Sequence, residues 1–160
     1  MTARPPLIAV CGASQPHETE LRDAEEVGRL LAVRGAVVVC GGLGGVMAAA
    51  ARGARVAGGI CVGLLPGDDP GSAGPDVTVA IPTGMGEMRN ALIARSCRAM
   101  IVIGGGYGTL SELALALRLG KPVAGLRTWD IRRPGEEHRD PGVHVVETAA
   151  QAVAWVMDQV

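Results

Sequence analysis

The chain alternates short apolar runs with longer stretches of helical spacing from end to end, and that alternation restricts it to few folds. Leu7–Cys11, Val37–Cys40, Ile60–Leu64, Val77–Ile81, Ala99–Ile103, Val123–Leu126 and Val143–Val146 read as strands. They are rich in β-branched residues and nearly continuous in apolar character, as strands covered on both faces of a parallel sheet must be. Helices are expected near Glu18–Arg34, Val46–Ala57, Glu87–Cys97, Thr109–Leu119 and Thr148–Val160. In the first of these, Leu21, Ala24, Val27, Leu30 and Leu31 form a single stripe. Strand–helix alternation implies right-handed crossovers, so residues 1–160 are expected to form one α/β domain. That domain would be doubly wound, Rossmann-like and three-layered, around a mainly parallel sheet of about seven strands.

Composition excludes several classes. The net charge of −1 lacks the electrostatic footprint of a nucleic-acid partner. Only Tyr107, Trp129 and Trp155 are aromatic, too few for the serial stacking that single-stranded nucleic acid requires. No apolar stretch is long enough to span a membrane, and the N-terminal apolar run is too short for a signal peptide. A cytoplasmic location is therefore expected. With no Phe and 24 Gly, the interior must be filled by Val, Ile, Leu and Ala at close backbone distances. Cys11, Cys40, Cys61 and Cys97 form no CxxC pair, and His17, His138 and His144 complete no zinc pattern. The cysteines read as small buried hydrophobes, and no metal is expected.

Ligands of open parallel sheets bind beyond the carboxyl ends of the strands. Gly12-Ala13-Ser14 follows the first strand, Gly41-Gly42-Leu43-Gly44-Gly45 the second, and Gly104-Gly105-Gly106-Tyr107-Gly108-Thr109 the fifth. Glycine lets backbone amides approach a ligand closely, and the helix starting at or just before Thr109 points its positive end into the same space. The natural occupant is a phosphate. Neither GxGxxG nor GxxxxGK[ST] occurs, which sets aside NAD-type enzymes and P-loop nucleotide hydrolases. Pro66–Asp76 has the composition of a lid or rim loop, and Arg127–Pro141 that of an exposed connection.

Two charged residues stand in otherwise apolar surroundings. Thr109-x-x-Glu112 has the form of a capping box, with Glu112 returning to the cap amide. Arg89 has a plain reading as a surface residue of an amphipathic helix.

The run GGLGGVM…IPTGMGEMRNALIARS…IGGGYGTLSELALALRLGKPV, within residues 41 to 123, resembles the "possible lysine decarboxylase" or SLOG superfamily. Its best-known members are the Lonely Guy phosphoribohydrolases. Gly105 to Glu112 matches the motif PGGxGTxxE with Gly104 in the proline's place, and Met85 to Arg89 stands where MxxRK lies, with Asn90 for Lys. IPTG…RN and IGGGxGTLSE also resemble a short bacterial subgroup similar to algal molybdenum-cofactor carrier proteins, which bind a phosphorylated pterin without turning it over.

The resemblance implies a phosphorylated small molecule as partner, such as AMP or a pterin phosphate. It implies that the amides of Gly105 to Thr109 and the Thr109 hydroxyl hold the phosphate. Glu112 would position water and stabilise an oxocarbenium-like ribose, and Arg89 would orient ribose and carboxylate. It further implies hydrolysis of the N-glycosidic bond of a nucleoside 5′-monophosphate or, alternatively, non-catalytic carriage of the ligand. A homodimer or higher homo-oligomer is expected, since the helix carrying Leu113, Leu115, Leu117 and Leu119 is apolar nearly all round. Lysine decarboxylation needs pyridoxal phosphate on a Schiff-base lysine. The only lysine, Lys121, precedes a strand and so lies away from the ligand edge. No pyridoxal phosphate, NAD or metal is therefore expected.

Overall fold

A computed structural model describes residues 4–160; residues 1–3, where the N-terminal segment weighed as a signal peptide begins, lie outside the described residues. The strands are β1 (Leu7–Gly12), β2 (Val37–Cys40), β3 (Cys61–Leu65), β4 (Val79–Pro82), β5 (Ala99–Ile103), β6 (Val123–Leu126) and β7 (Val143–Val146). They form one sheet in the order β4-β3-β2-β1-β5-β6-β7, and every neighbouring pair is parallel. The helices are α1 (Glu18–Val33), α2 (Val46–Val56), α3 (Asn90–Ser96), α4 (Tyr107–Arg118) and α5 (Ala149–Asp158). The domain is thus the single Rossmann-like sandwich that the alternation predicts.

Successive side chains of each strand serve opposite layers. Ile8, Val10, Val38, Cys40, Ile101 and Ile103 pack with α1, α2 and α5. Ala9, Cys11, Val39, Met100 and Val102 pack with α3 and α4 on the other face. All four cysteines are free and buried. The first layer shows how a chain without Phe closes its core. A Cβ on Gly28 of α1 would lie 2.0 Å from the Ala50 carbonyl oxygen, and one on Gly53 of α2 would lie 1.9 Å from that of Glu25. The two helices meet backbone to backbone.

Most element ends fall within a residue or two of the sequence reading, and three differences have a local cause. β4 begins at Val79, not Val77, because the Val77 amide is still turned onto the Gly74 carbonyl (3.1 Å). The segment read as one helix over Glu87–Cys97 divides into a 3-10 turn, Gly86–Arg89, and then α3. α4 starts at Tyr107 with Gly106 as its N-cap, two residues before Thr109. Thr109-x-x-Glu112 is therefore no capping box: Thr109 is the third helical residue and Glu112 lies beyond the first turn.

Strand order reverses between β1 and β5. The chain runs outward from β1 to β4 on one side and from β5 to β7 on the other. The turns after β1 and β5 consequently splay apart and open a crevice at the carboxyl edge, where such sheets take their ligands. Among the described residues no helix is long and apolar enough to cross a membrane.

Candidate functional site

The crevice holds a cleft of about 470 Å³. Gly12, Ala13 and Ser14 form one side, and Gly106, Tyr107, Gly108 and Thr109 form the other. Arg89, Asn90 and Glu112 complete its polar lining, together with Glu87. Leu43, Met47, Pro66 and Gly86 close it toward β2 and β3.

The first turn of α4 lines the cleft. The first amides of a helix have no intrahelical acceptor, and here no side chain caps them. Gly105 makes the turn in the left-handed region (φ 110°), where a Cβ would stand 2.4 Å from the Thr109 Cβ. Thr109 is thereby packed under the turn, 4% exposed. A neighbouring recess of about 340 Å³ also touches Gly105 and Gly106 and is lined by Ala13, Ser14, Gln15, His17 and Glu20.

Arg89 is buried, so its reading as a surface residue fails. Its Nη1 donates to the carbonyls of Gly41 (2.6 Å) and Leu64, and its Nε donates to Asn90 Oδ1 (3.2 Å). Asn90 Nδ2 then donates to Ser111 Oγ (3.0 Å), which donates to the Gly108 carbonyl (2.7 Å). This chain of bonds ties the ends of β2 and β3 to the first turn of α4. Arg89 forms no ion pair with Glu112 among the described residues, so the fork that the resemblance implies between them is not made.

Glu112 is 8% exposed and accepts no hydrogen bond from a nitrogen or oxygen donor among the described residues. Burial pushes its carboxyl up to about 7, while the Cys11 thiol against it and the charge of Arg89 hold it down. Burial and the nearby Glu112 in turn push the Cys11 thiol well up, so Cys11 stays protonated. A carboxyl poised near neutrality on the wall of a cleft suits proton exchange with a ligand or water.

Not every expected residue reaches the cleft. Gly41, Gly42, Gly44 and Gly45 are absent from its lining, as are Gly104 and Gly105. Gly41 packs on Met47 and Arg89, while Gly42 packs on Leu65 and Gly63. Gly45 packs on the backbone of Ala13 and Ser14, so it joins two turns to each other. Leu43, Met47, Pro66, Gly86 and Glu87 also line the cleft; Leu43 lies in the glycine turn and Pro66 in the segment read as a rim loop, Gly86-Glu87 adjoin Arg89, and Met47 alone carried no sign. Lys121 donates from Nζ to the Cys97 carbonyl (2.7 Å), near the amino ends of the strands. No three His, Cys, Asp or Glu side chains gather as a metal cluster among the described residues.

Comparison with known proteins agrees with this fold. An uncharacterised protein of Archaeoglobus fulgidus is 43% identical over 149 residues, 92% of each chain. A "probable cytokinin riboside 5'-monophosphate phosphoribohydrolase" of Oryza sativa subsp. japonica is 36% identical over 107 residues, 64% of this chain. The matched part is 47% of the rice protein, so the chain spans about half the length of that curated relative. The molybdenum cofactor binding protein of Rippkaea orientalis superposes with a TM-score of 0.87 at 32% identity, covering 98% of both chains. DNA processing protein A of Helicobacter pylori shares the fold at a TM-score of 0.70 and 20% identity, covering 96% of this chain and 81% of that one. The SLOG cluster4 family matches residues 5–153, nearly the whole length. The chain belongs to the SLOG cluster4 family.

Proposed function

We propose that the cleft binds a phosphorylated, nucleotide-like ligand and hydrolyses the N-glycosidic bond of a nucleoside 5′-monophosphate. The observation that carries this reading is Glu112, a buried carboxyl facing the cleft beside the uncapped first turn of α4. The amides of Tyr107, Gly108 and Thr109 hold the phosphate, and this places the ribose over Glu112. As carboxylate, Glu112 stabilises positive charge developing on the ribose and accepts a proton from the attacking water. The water oxygen bonds to the anomeric carbon as the bond to the base breaks, and the proton that Glu112 takes from the water is passed on to the departing base, which regenerates the carboxylate. Arg89 holds Asn90 and the ends of β2 and β3 in place around the ribose. The reaction on this reading needs no pyridoxal phosphate, nicotinamide or metal.

The test is adenine release from AMP, followed by chromatography, together with a thermal shift. AMP should raise the melting temperature by mass action. Gly106→Val should abolish that rise with the fold intact, because Gly106 has φ −98° and its Cβ direction is open. An undiminished shift in the variant would place the phosphate elsewhere.

A second reading is favoured by one observation: the likeness to the Rippkaea orientalis protein covers 98% of both chains. On that reading the cleft carries a phosphorylated ligand such as the molybdenum cofactor without turnover, and wild-type protein releases no base.

A homodimer accompanies either reading. Leu115 of α4 and Leu119, just after its end, are only half-buried, at a recess of about 190 Å³ shared with Ala91, Arg95 and Arg118. A second copy seated there would cover them. Light scattering at micromolar concentration should give at least twice 16.3 kDa, and the mass of a single chain would refute this.

A further inference from the structure

Two of the chain's three aromatic side chains meet beside the phosphate turn. Tyr107, the first residue of α4, lines the cleft and is 83% exposed. Trp129 lies 5.8 Å from it, centroid to centroid, with the rings inclined at 32°. Large rings left in water serve no core, and here the core is filled without them.

The segment carrying Trp129 is also held in place. Thr128 Oγ1 donates to the Gly104 carbonyl (2.6 Å), fastening the loop after β6 to the glycine turn. Arg127 is the one non-glycine residue with positive φ (52°) among the described residues, and its Nε pairs with Asp23 at 3.1 Å. The left-handed backbone at Arg127 turns the chain two residues before Trp129.

We propose that Tyr107, backed by Trp129, is the stacking surface for the planar heterocycle of the ligand. This rests on the reading that the phosphate lies on the first turn of α4. The cleft then distinguishes phosphates of aromatic bases or pterins from plain sugar phosphates, because only a flat ring can cover Tyr107. The electron-rich face of a phenol favours an electron-poor heterocycle in offset contact, and stacking of this kind tolerates different bases.

The experiment uses the full chain with Trp155→Phe. Trp155 stacks on His144 (centroids 4.5 Å apart, 7° between planes), and its removal leaves Trp129 as the sole indole. AMP should change Trp129 emission saturably, whereas ribose 5-phosphate should bind and leave emission nearly unchanged. Tyr107→Ala should weaken AMP roughly ten- to hundredfold while leaving ribose 5-phosphate affinity within about twofold. Tyr107→Phe should retain AMP affinity, since the ring and not the hydroxyl makes the contact. Equal AMP affinity in Tyr107→Ala and wild type, with ribose 5-phosphate still bound, would overturn the stacking assignment alone. Failure of wild type to bind either phosphate would overturn the phosphate reading and this assignment with it.

Discussion

Glu112→Gln should leave AMP affinity within about threefold of wild type while adenine release falls by two or more orders of magnitude. The substitution keeps size and removes the charge that matters only as the glycosidic bond breaks, so it acts on the transition state and spares the ground state. Single-turnover assays on both proteins, with binding measured separately, decide it. Equal release from the variant would remove Glu112 from the chemistry, and no release from wild type would favour the carrier reading.

The same substitution has a stability signature. The Glu112 carboxyl rises from 4.5 to about 7 on folding, chiefly through burial. Between those pH values the folded chain keeps a proton that the unfolded chain has lost. Stability must therefore fall as pH rises from 4.5 to 7, by up to about 3 kcal/mol. Glutamine has no proton to lose. Urea unfolding should show the variant comparable to wild type at pH 4.5 and more stable at pH 8. Because Glu112 lies beyond the first turn of α4, no cap is lost in the exchange.

Arg89→Leu should cost about 3–5 kcal/mol, the second large effect. Its Nη1 serves the Gly41 and Leu64 carbonyls together, and leucine would leave both buried oxygens without a donor. Each such loss costs about 1–3 kcal/mol. The urea midpoint should drop accordingly, while Asn90→Ala, which keeps both bonds, should lose far less. A midpoint for Arg89→Leu within about 0.5 kcal/mol of wild type would show that the guanidinium does not join β2 to β3.

The sheet was legible because burial on both faces forces runs such as Ala99–Ile103 to be apolar throughout. The glycine turn before α4 was legible for a similar reason, since uncapped amides and close approach demand small residues. The turn over Gly41–Gly45 is less simply read: β2 stands one strand away from the reversal, and of its glycines Gly45 packs on the turn after β1 while Gly41 packs on Met47 and Arg89. Met47 lines the cleft without any motif, because apolar lining is written in the same residues as core, whereas Leu43 and Pro66 belong to the glycine turn and the rim loop read from the sequence. Thr109-x-x-Glu112 misled. The spacing of a capping box is also the spacing of any two residues three apart on one face of a helix, and only the extended backbone of Gly106 tells the two apart. The burial of Arg89 followed from topology: periodicity gives a residue's face, not how far the strand ends roof it over.

The backbone contact between α1 and α2 at Gly28 and Gly53 has a consequence for how the cleft accommodates its guest. Helices in such contact cannot slide, and the Val46 amide on the Ala13 carbonyl (3.0 Å) fastens the turns after β1 and β2 to each other. The wall toward β3 is fastened too: the Gly86 amide donates to the Pro66 carbonyl (2.9 Å), and Arg89, at the end of the same 3-10 turn, donates to the Gly41 and Leu64 carbonyls. A cleft walled in this way is preformed, so a ligand on the proposed reading loses little affinity to ordering of the site.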